Sequence, residues 1–417
     1  MQMKIWILFF LGSLPLWATP VQEEEISFQS AVLGEIPDPD DVKVTQITFS
    51  PIGNAVAYAG KEGGKTFVYV GEKKGANAFD SIGNIVFSPD GKRVAFEGWI
   101  RRKQMIVVDG KVGRSYDRVS APVFSPDSQT VAYPAIRGRK ATLVLNEEEQ
   151  GNHESVGDLI ASTTKNIFAY AVQDSDAGYI VYGSMRSARY DRVNFPVLSA
   201  SGALAAFAAM KNFKWSVRFK SAPGPTFDEV GQPVLSPNEK EIAYPARKGF
   251  RWQIVVGKKK GPLFEKVGTP VFSPDSTQVA YWATQDGMEF IVIGKQPQEE
   301  FDGAGNPVWS PDNKTVAYPA RSSGRGFLVL GEKKIRYFKK GDLFDEVGSP
   351  VFNADGSLYA YPEREGKKWY MVFGKERSFN YDWIWTGVFH PNGKSVAFAA
   401  FDRVYLKWRV LRQKSKR

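Results

Sequence analysis

A unit of about 37 residues recurs along nearly the whole chain, and this repeat constrains the fold more than any other feature of the sequence. The anchor of the unit is the serine of the Phe-Ser-Pro-Asp-Gly-Lys segment at 87–92. Seven of the nine intervals between successive anchors are 37 residues, one is 38 and one is 43. A fixed period of this kind indicates one supersecondary unit per repeat. The ten equivalent positions are Ser50, Ser88, Ser125, Ser162, Ser199, Ser236, Ser273, Ser310, Asn353 and His390.

Two adjacent columns confirm the register of the repeat. We expect the small residue of the first column to let neighbouring sheets approach, and the ring of the second, on the other face of the strand, to fill the gap between sheets. Seven residues after the anchor, every copy has alanine: Ala57, Ala95, Ala132, Ala169, Ala206, Ala243, Ala280, Ala317, Ala360 and Ala397. The next position is always aromatic: Tyr58, Phe96, Tyr133, Tyr170, Phe207, Tyr244, Tyr281, Tyr318, Tyr361 and Phe398.

Each unit has the pattern of four short strands. In residues 268–302 an apolar run ends at a Pro-Asp-Ser turn, and two further apolar runs and a short last strand follow, separated by polar loops. Turn signals every 8–12 residues without a helical period indicate antiparallel all-β structure. Four strands repeated around an axis are typical of a β-propeller. The sequence therefore predicts an all-β propeller of ten four-stranded blades.

The run Ser-Pro-Asp-Gly-Lys-x-Val-Ala-Phe/Tyr resembles the repeat of the TolB carboxy-terminal propeller and of its WD40-like (PD40) relatives. The resemblance covers about residues 45–411. Two departures stand out: no amino-terminal α/β domain precedes the repeats as in TolB, and no Trp-Asp pair ends the third strand as in WD40 repeats. The resemblance thus implies the propeller fold and not TolB's role in the envelope.

The ends of the chain predict export and closure of the ring. Residues 1–18 have the layout of a signal peptide, with one lysine, a short apolar run and a small residue at Ala18, so we expect a secreted or periplasmic protein. A short membrane anchor is the alternative, but the run is too short to span a bilayer comfortably, and no other stretch could span one. Segment 19–44 includes a strand-like stretch at 26–32, which we predict pairs with the last copy, whose fourth strand is weak. A basic tail at 412–417 follows the ten repeats.

Ten blades in a single ring exceed the usual number of roughly four to eight. The alternative is two rings of five blades, divided near residue 227. The repeat continues through that point without a Pro/Ser-rich linker, which favours one ring. The one long interval comes from an insertion at 334–340, within a hairpin.

An acidic column lies eight residues before the anchor, and an arginine follows some second strands on the same predicted face. One hypothesis is a ring of carboxylates near the channel mouth that binds cations or a basic ligand. The alternative is a framework acid in each blade that accepts backbone N–H bonds or pairs with a cation; its regular recurrence favours this alternative. The acids are Asp80, Asp117, Glu154, Asp191, Asp228, Glu265, Asp302, Asp345 and Asp382, and the arginines, from Tyr-Pro-x-Arg segments, are Arg247, Arg321 and Arg364.

The opposite face is predicted to be basic. Its turns after the third strand include 71–74, 257–261, 333–340 and 375–377. One hypothesis is docking on an anionic surface, and the alternative is solvated lysines that protect strand edges from aggregation. The residues singled out for anionic-surface binding are Lys258, Lys259, Lys260, Lys333 and Lys334.

The amino-acid composition limits the catalytic and metal-binding chemistry open to this chain. The net charge is +10, there are no cysteines, and there are only two histidines, so thiolate chemistry and His- or Cys-rich metal sites are excluded. No Gly-x-Ser-x-Gly nucleophile elbow is present. The segment 174–178 resembles a calcium loop without the bidentate glutamate. We expect no cofactor and no metal.

Two functions remain as hypotheses. The first is a non-catalytic, monomeric binding or scaffold propeller that recognises a protein or polymer of the cell envelope, with no role in nucleic-acid binding. The second is a propeller enzyme that acts on glycan or peptide through carboxylates at the channel mouth.

Overall fold

The computed structural model describes residues 28–35, 43–51, 55–331, 333–335, 344–374, 376–384, 387–389, 393–402 and 405–413. Within these residues all regular secondary structure is β-strand, arranged in ten antiparallel sheets. We number them sheet 1 to sheet 10 along the chain. The predicted signal peptide, most of the 334–340 insertion and residues 414–417 of the tail lie outside the described residues.

Nine of the ten sheets are meanders of four strands in chain order, as the sequence predicts, and sheet 10 takes its fourth strand from the amino-terminal segment. In six sheets an irregularity divides the first strand into two pieces. The first strands are Lys43–Phe49, Ser81–Phe87, Arg118–Val119 with Val123–Phe124, Ser155–Ala161, Arg192–Leu198, Glu229–Val230 with Val234–Leu235, Lys266–Val267 with Val271–Phe272, Gly303–Ala304 with Val308–Trp309, Phe344–Val347 with Val351–Phe352, and Trp383–Ile384 with Val388–Phe389. The second strands are Val56–Glu62, Val94–Ile100, Val131–Arg137, Phe168–Gln173, Leu204–Lys211, Ile242–Lys248, Val279–Gln285, Val316–Ser322, Tyr359–Glu365 and Ser395–Asp402.

The third strands lie between the second and fourth strands, and the fourth strands form the other edge of each sheet. The third strands are Lys65–Val70, Lys103–Val108, Lys140–Leu145, Gly178–Tyr182, Lys214–Phe219, Arg251–Val256, Met288–Ile293, Arg325–Leu330, Lys368–Phe373 and Tyr405–Gln413. The fourth strands are Lys73–Lys74, Lys111–Val112, Glu148–His153, Met185–Arg186, Ala222–Phe227, Lys259–Lys260, Gln296–Phe301, Lys333–Ile335, Glu376–Arg377 and, in sheet 10, Phe28–Glu35.

The fourth strand of sheet 10 comes from the other end of the chain. Phe28–Glu35 pairs antiparallel with Tyr405–Gln413, and the register runs from Phe28 opposite Gln413 to Glu35 opposite Lys407. The predicted pairing of segment 26–32 with the last copy is therefore confirmed for residues 28–32, and residues 26–27 lie outside the described residues. Because the pairing supplies the fourth strand of a sheet whose other strands come from the last repeat, it ties the two ends of the chain together.

The junctions between consecutive sheets are built on the two invariant columns. All ten alanines are at most 3% exposed, and all ten rings are at most 8% exposed. In sheets 2 and 3, Ala95 shares a core cluster with Tyr133, and in sheets 6 and 7 Ala243 shares one with Tyr281. The same pairing recurs at all nine junctions between consecutive sheets. The prediction that a small residue admits a ring from the next sheet is confirmed, and burying each ring contributes roughly 2 kcal/mol.

A second ring completes most junctions. The aromatic residue that precedes the acidic column packs edge-on against the invariant ring of the following sheet. Phe79 lies 5.5 Å from Phe96, between ring centroids, and Phe227 lies 6.4 Å from Tyr244. Such T-shaped pairs add stabilisation beyond the buried area. The aromatic residues that often precede the acids are thus core residues of the junction.

The anchor serines organise the turns between first and second strands. In sheet 7 the buried Ser273 hydroxyl accepts the N–H of Gln278 at 2.9 Å and donates to Asp275 at 2.6 Å. Ser276 has a positive φ of 66°, the conformation that Gly, Asn or Asp adopt most easily. The Asp275 N–H in turn donates to the Asn313 side chain of sheet 8 at 2.7 Å. The Ser-Pro-Asp segment is therefore both a turn and a link between sheets.

Candidate binding surfaces

Antiparallel strands alternate in direction, which gives every sheet two distinct ends. Hairpins between second and third strands lie at one end, together with the connections between sheets, and we call this the hairpin face. The anchor-serine turns and the turns between third and fourth strands lie at the other end, the anchor face. The acidic column and the predicted arginines lie on the hairpin face, and the predicted lysines lie on the anchor face.

The acidic column joins consecutive sheets. Asp228 accepts the Lys214 ammonium of sheet 5 at 2.5 Å on one carboxylate oxygen. Its other oxygen accepts the N–H of Gly249, in the hairpin of sheet 6, at 2.7 Å. The same two bonds, at 2.5–2.7 Å, are made by Asp80 with Lys65 and the Arg101 N–H, and by Asp117 with Lys103 and the Gly138 N–H.

Three further acids make at least one of these two bonds. Asp191 accepts the Asn212 N–H at 2.7 Å, Asp302 accepts the Ser323 N–H at 2.6 Å, and Asp382 accepts the Lys368 ammonium at 2.7 Å. The side chain of Asp345 lies outside the described residues. These contacts match the framework alternative, and the ligand-binding hypothesis for the column stays a prediction.

The lysine ammonium and the backbone N–H also shift the pKa of the acids that they both bind. A hydrogen bond from lysine is the largest cause, followed by the bond from the backbone N–H, and together they hold the pKa below its ordinary value. A signal for these pairs was present in the sequence, since basic residues recur 14 or 15 residues before several of the acids. The acids with this lowered pKa are Asp80, Asp117 and Asp228.

The three predicted arginines have different surroundings. Arg247 is held by Glu229 at 2.9 Å and by the Gly249 carbonyl at 2.8 Å. Arg321 and Arg364 instead line one groove of about 470 Å³ between sheets 8 and 9. Glu346 shares this groove and lies 3.5 Å from the Arg364 guanidinium. The structure therefore brings two of the three arginines together at one site.

The lysines of the anchor face line a groove of about 480 Å³ between sheets 5, 6 and 7. Lys258 and Lys259 contribute to it together with Lys240, from an anchor turn, which the sequence analysis did not single out. Lys260 is exposed, and its ammonium lies 5.5 Å from the Phe227 ring centroid. Similar grooves of about 540 and 450 Å³ are lined by cations of sheets 1–3: Lys73, Lys74, Lys92, Arg93, Lys111 and Arg114.

The other predicted basic turns differ in how much positive charge they add to the anchor face. Lys333 is exposed, and the side chain of Lys334 lies outside the described residues. In the 375–377 turn, Arg377 is bound by the buried Glu363 and by Glu365, at 2.8 Å from the latter. Because two acidic side chains bind it, the guanidinium of Arg377 adds little to a basic surface.

The fourth copy of the repeat differs from the others in that it contains a histidine at a column that is usually aromatic. His153 occupies the place of the aromatic residue that precedes the acid elsewhere, and its Nδ1 lies 3.2 Å from Asp174. The Tyr179 hydroxyl donates to the other oxygen of Asp174 at 3.0 Å. Burial raises the pKa of Asp174, but the bonds from Tyr179 and His153 outweigh it, so the pKa lies below its ordinary value. No group of three or more His, Asp or Glu side chains suited to a metal ion occurs in the part of the chain that the structure describes.

Sequence reasoning missed the exposed tips of the hairpin face. Phe213 and Phe250 stand at the tips of the hairpins of sheets 5 and 6, and their side chains are 88% and 96% exposed. The signal lay in the Lys-Asn-Phe-Lys and Lys-Gly-Phe-Arg segments, where an aromatic residue occupies a turn between cations.

Four-stranded antiparallel meanders that follow one another along the chain, each packed face to face on the next, define a β-propeller. The described residues include no helix of the length and hydropathy needed to cross a bilayer. Whether the sheets form one ring of ten blades or two rings of five stays a prediction.

Comparisons with known proteins do not identify a family for this chain. No family model and no curated protein matches the chain, so the resemblance to TolB-type repeats stays a prediction. Among solved structures, a eukaryotic initiation factor matches with TM-score 0.47 and 13% identity over 71% of this chain and 87% of its own. The Dos1 propeller matches with TM-score 0.44 and 8% identity over 93% and 96%. The propeller domain of the trilobed protease from Pyrococcus furiosus matches with TM-score 0.35 and 12% identity over 81% and 97%.

Proposed function

We propose that the chain is a non-catalytic binding or scaffold propeller of the cell envelope, and that it recognises an anionic region of a protein or polymer. The observation that supports this proposal is the groove between sheets 8 and 9, which both Arg321 and Arg364 line. Six carboxylates of the acidic column on the same face are engaged with lysines or backbone N–H groups. The predicted signal peptide at 1–18 supports a location outside the cytoplasm.

Guanidinium groups suit this task because each presents several donors in a plane and can bind a carboxylate or phosphate through two bonds. Arg321 is exposed, and Glu346 partly neutralises its neighbour Arg364. The groove therefore carries a net positive charge, and an anionic group that enters it can displace Glu346 or bind Arg321 directly.

The test is binding of a fluorescein-labelled octa-aspartate peptide, followed by fluorescence anisotropy at low ionic strength. We expect Arg321→Ala with Arg364→Ala to weaken binding at least about tenfold, the loss of one or two charge-assisted bonds. Arg247→Ala is the matched control, because Glu229 already holds that guanidinium. Equal binding by the wild type and the double variant would refute the proposal, as would an equal loss in the control.

The enzymatic alternative, with carboxylates acting on glycan or peptide, has its own assay. Mass spectrometry of the labelled peptide and of an acidic oligosaccharide after prolonged incubation with the protein should show no new product. A product that appears with the wild type and not with Asp302→Asn would favour the enzyme over the binding module.

A further inference from the structure

Phe213 and Phe250, at the tips of the hairpins of sheets 5 and 6, do not stabilise the hydrophobic core. Both rings are almost entirely exposed to water, so neither contributes to the core. Phe213 also has a φ of 59°, in a two-residue turn with Asn212 at 51°. Glycine is the residue that such turns prefer at this position, and Gly64, Gly287 and Gly324 occupy it in other hairpins. An exposed ring in a strained conformation is therefore a candidate for contact with something outside the chain.

The two tips are held side by side. Lys214, next to Phe213, and the N–H of Gly249, next to Phe250, both bind Asp228, at 2.5 and 2.7 Å. One carboxylate thus links the two hairpins at their bases, and the rings project from adjacent sheets as a pair. A fixed pair of tips can engage one surface simultaneously without ordering a loop first.

Cations flank both rings. Lys214 and Arg247 are paired with acids at the base of the hairpins, whereas Lys211 and Lys248 are exposed and have no ion-pair partner among the described residues. Arg251 is exposed too and donates to the Gln285 side chain at 2.6 Å. The edge of the protein around the two tips therefore combines apolar points with unneutralised positive charge.

We propose that the Phe213 and Phe250 hairpins dock the propeller on a membrane surface of anionic phospholipid. A bilayer interface accepts projecting rings without a preformed pocket, since the acyl chains deform around them, while lysine ammonium groups reach the phosphates. The complementarity is one of charge and shape: two projecting apolar tips, flanked by cations, face a deformable anionic plane. This surface is distinct from the groove of Arg321 and Arg364, so the inference goes beyond the proposed function.

Co-sedimentation with vesicles tests the proposal. The probe is vesicles of 70% phosphatidylcholine and 30% phosphatidylglycerol, with pure phosphatidylcholine for comparison. We expect Phe213→Ser with Phe250→Ser, and separately Lys211→Glu with Lys248→Glu, to weaken binding to the anionic vesicles about tenfold or more. Met185→Ser is the matched control, an exposed apolar side chain at the opposite end of its sheet. Equal binding to both vesicle types, or binding that survives loss of both rings, would overturn the proposal.

A label reports insertion directly. The sequence contains no cysteine, so Phe250→Cys provides a unique attachment site for an environment-sensitive fluorophore. On anionic vesicles its emission should shift to shorter wavelength and intensify, while a fluorophore at Met185→Cys should not change. An unchanged label at 250, or the same shift at 185, would contradict insertion. Vesicle binding by Arg321→Ala with Arg364→Ala should remain intact, so failure of either proposal is recognised separately.

Discussion

Two buried tyrosine hydroxyls provide the sharpest test of how the sheet junctions are built. Tyr244 and Tyr281 belong to the invariant ring column and are at most 1% exposed, and their hydroxyls have no hydrogen-bond partner within the described residues. A buried hydroxyl that makes no bond costs about 1–3 kcal/mol. Tyr244→Phe and Tyr281→Phe remove this cost and leave the ring in place. Phe96 and Phe207 already occupy the column in sheets 2 and 5, so the site accepts phenylalanine.

We therefore expect each substitution to raise the free energy of unfolding by about 1 kcal/mol, and the double variant by about 2 kcal/mol, since the two sites lie in different junctions. The matched control is Tyr133→Phe in the same column. Its hydroxyl donates to Glu147 at 3.2 Å, so its removal should lower the free energy of unfolding by about 1 kcal/mol.

The measurement is urea unfolding of wild type and variants, followed by circular dichroism at neutral pH, with the slopes compared before the midpoints are converted to energies. The opposite signs of the two kinds of variant are the diagnostic result. If Tyr244→Phe destabilises the protein as much as Tyr133→Phe does, the hydroxyl of Tyr244 has a partner and the reasoning is wrong.

Three further predictions concern the acids and the closure of the chain. Burial raises the pKa of Glu363 to about 7, against the opposing effect of Arg377. Because the folded protein then holds this proton more tightly than the unfolded chain, whose pKa is about 4.5, stability should fall as pH rises from about 4.5 through about 7. Glu363→Gln should remove this slope in urea titrations at several pH values, whereas Glu365→Gln should keep it; identical slopes for wild type and Glu363→Gln would contradict the prediction. Asp228→Asn should lower the melting temperature more than Asp191→Asn does, because Asp228 makes both the lysine and the backbone bond whereas Asp191 makes the backbone bond. The pKa of Asp228 is lower in the folded protein than in the unfolded chain, so the Asp228 carboxylate stabilises the fold above its unfolded-state pKa. This stabilisation is lost as pH falls through the folded-state pKa, and the difference in stability between wild type and Asp228→Asn should therefore disappear in acid. Deletion of residues 1–35 exposes the edge of Tyr405–Gln413 and should cause aggregation and an earlier, less cooperative thermal transition, measured by light scattering and calorimetry; an unchanged transition would show that the strand is dispensable.

The repeat alone determined the fold of this protein in considerable detail. Alanine beside an aromatic ring, at the same place in every copy, predicted the junctions of buried side chains, because packing of one sheet on the next needs a small residue wherever a ring enters. The weak fourth strand of the last copy and the strand-like stretch near the amino terminus predicted their pairing. These features follow from local patterns that a 37-residue period makes visible.

Only the tertiary structure decided what the surface residues do. Asp228 lies 14 residues from Lys214 and 21 from Gly249, and the stacking of sheet 6 on sheet 5 alone brings the three together. Arg247, Arg321 and Arg364 occupy one column in the sequence, yet Arg247 is held by Glu229 while the other two share a groove with Glu346. The solvent exposure of Phe213 and Phe250 was likewise visible only in the tertiary structure. A repeat specifies how each sheet packs on the next, because packing recurs in every copy. The groups that a partner meets depend on which neighbours each copy brings to the surface, and those differ from sheet to sheet.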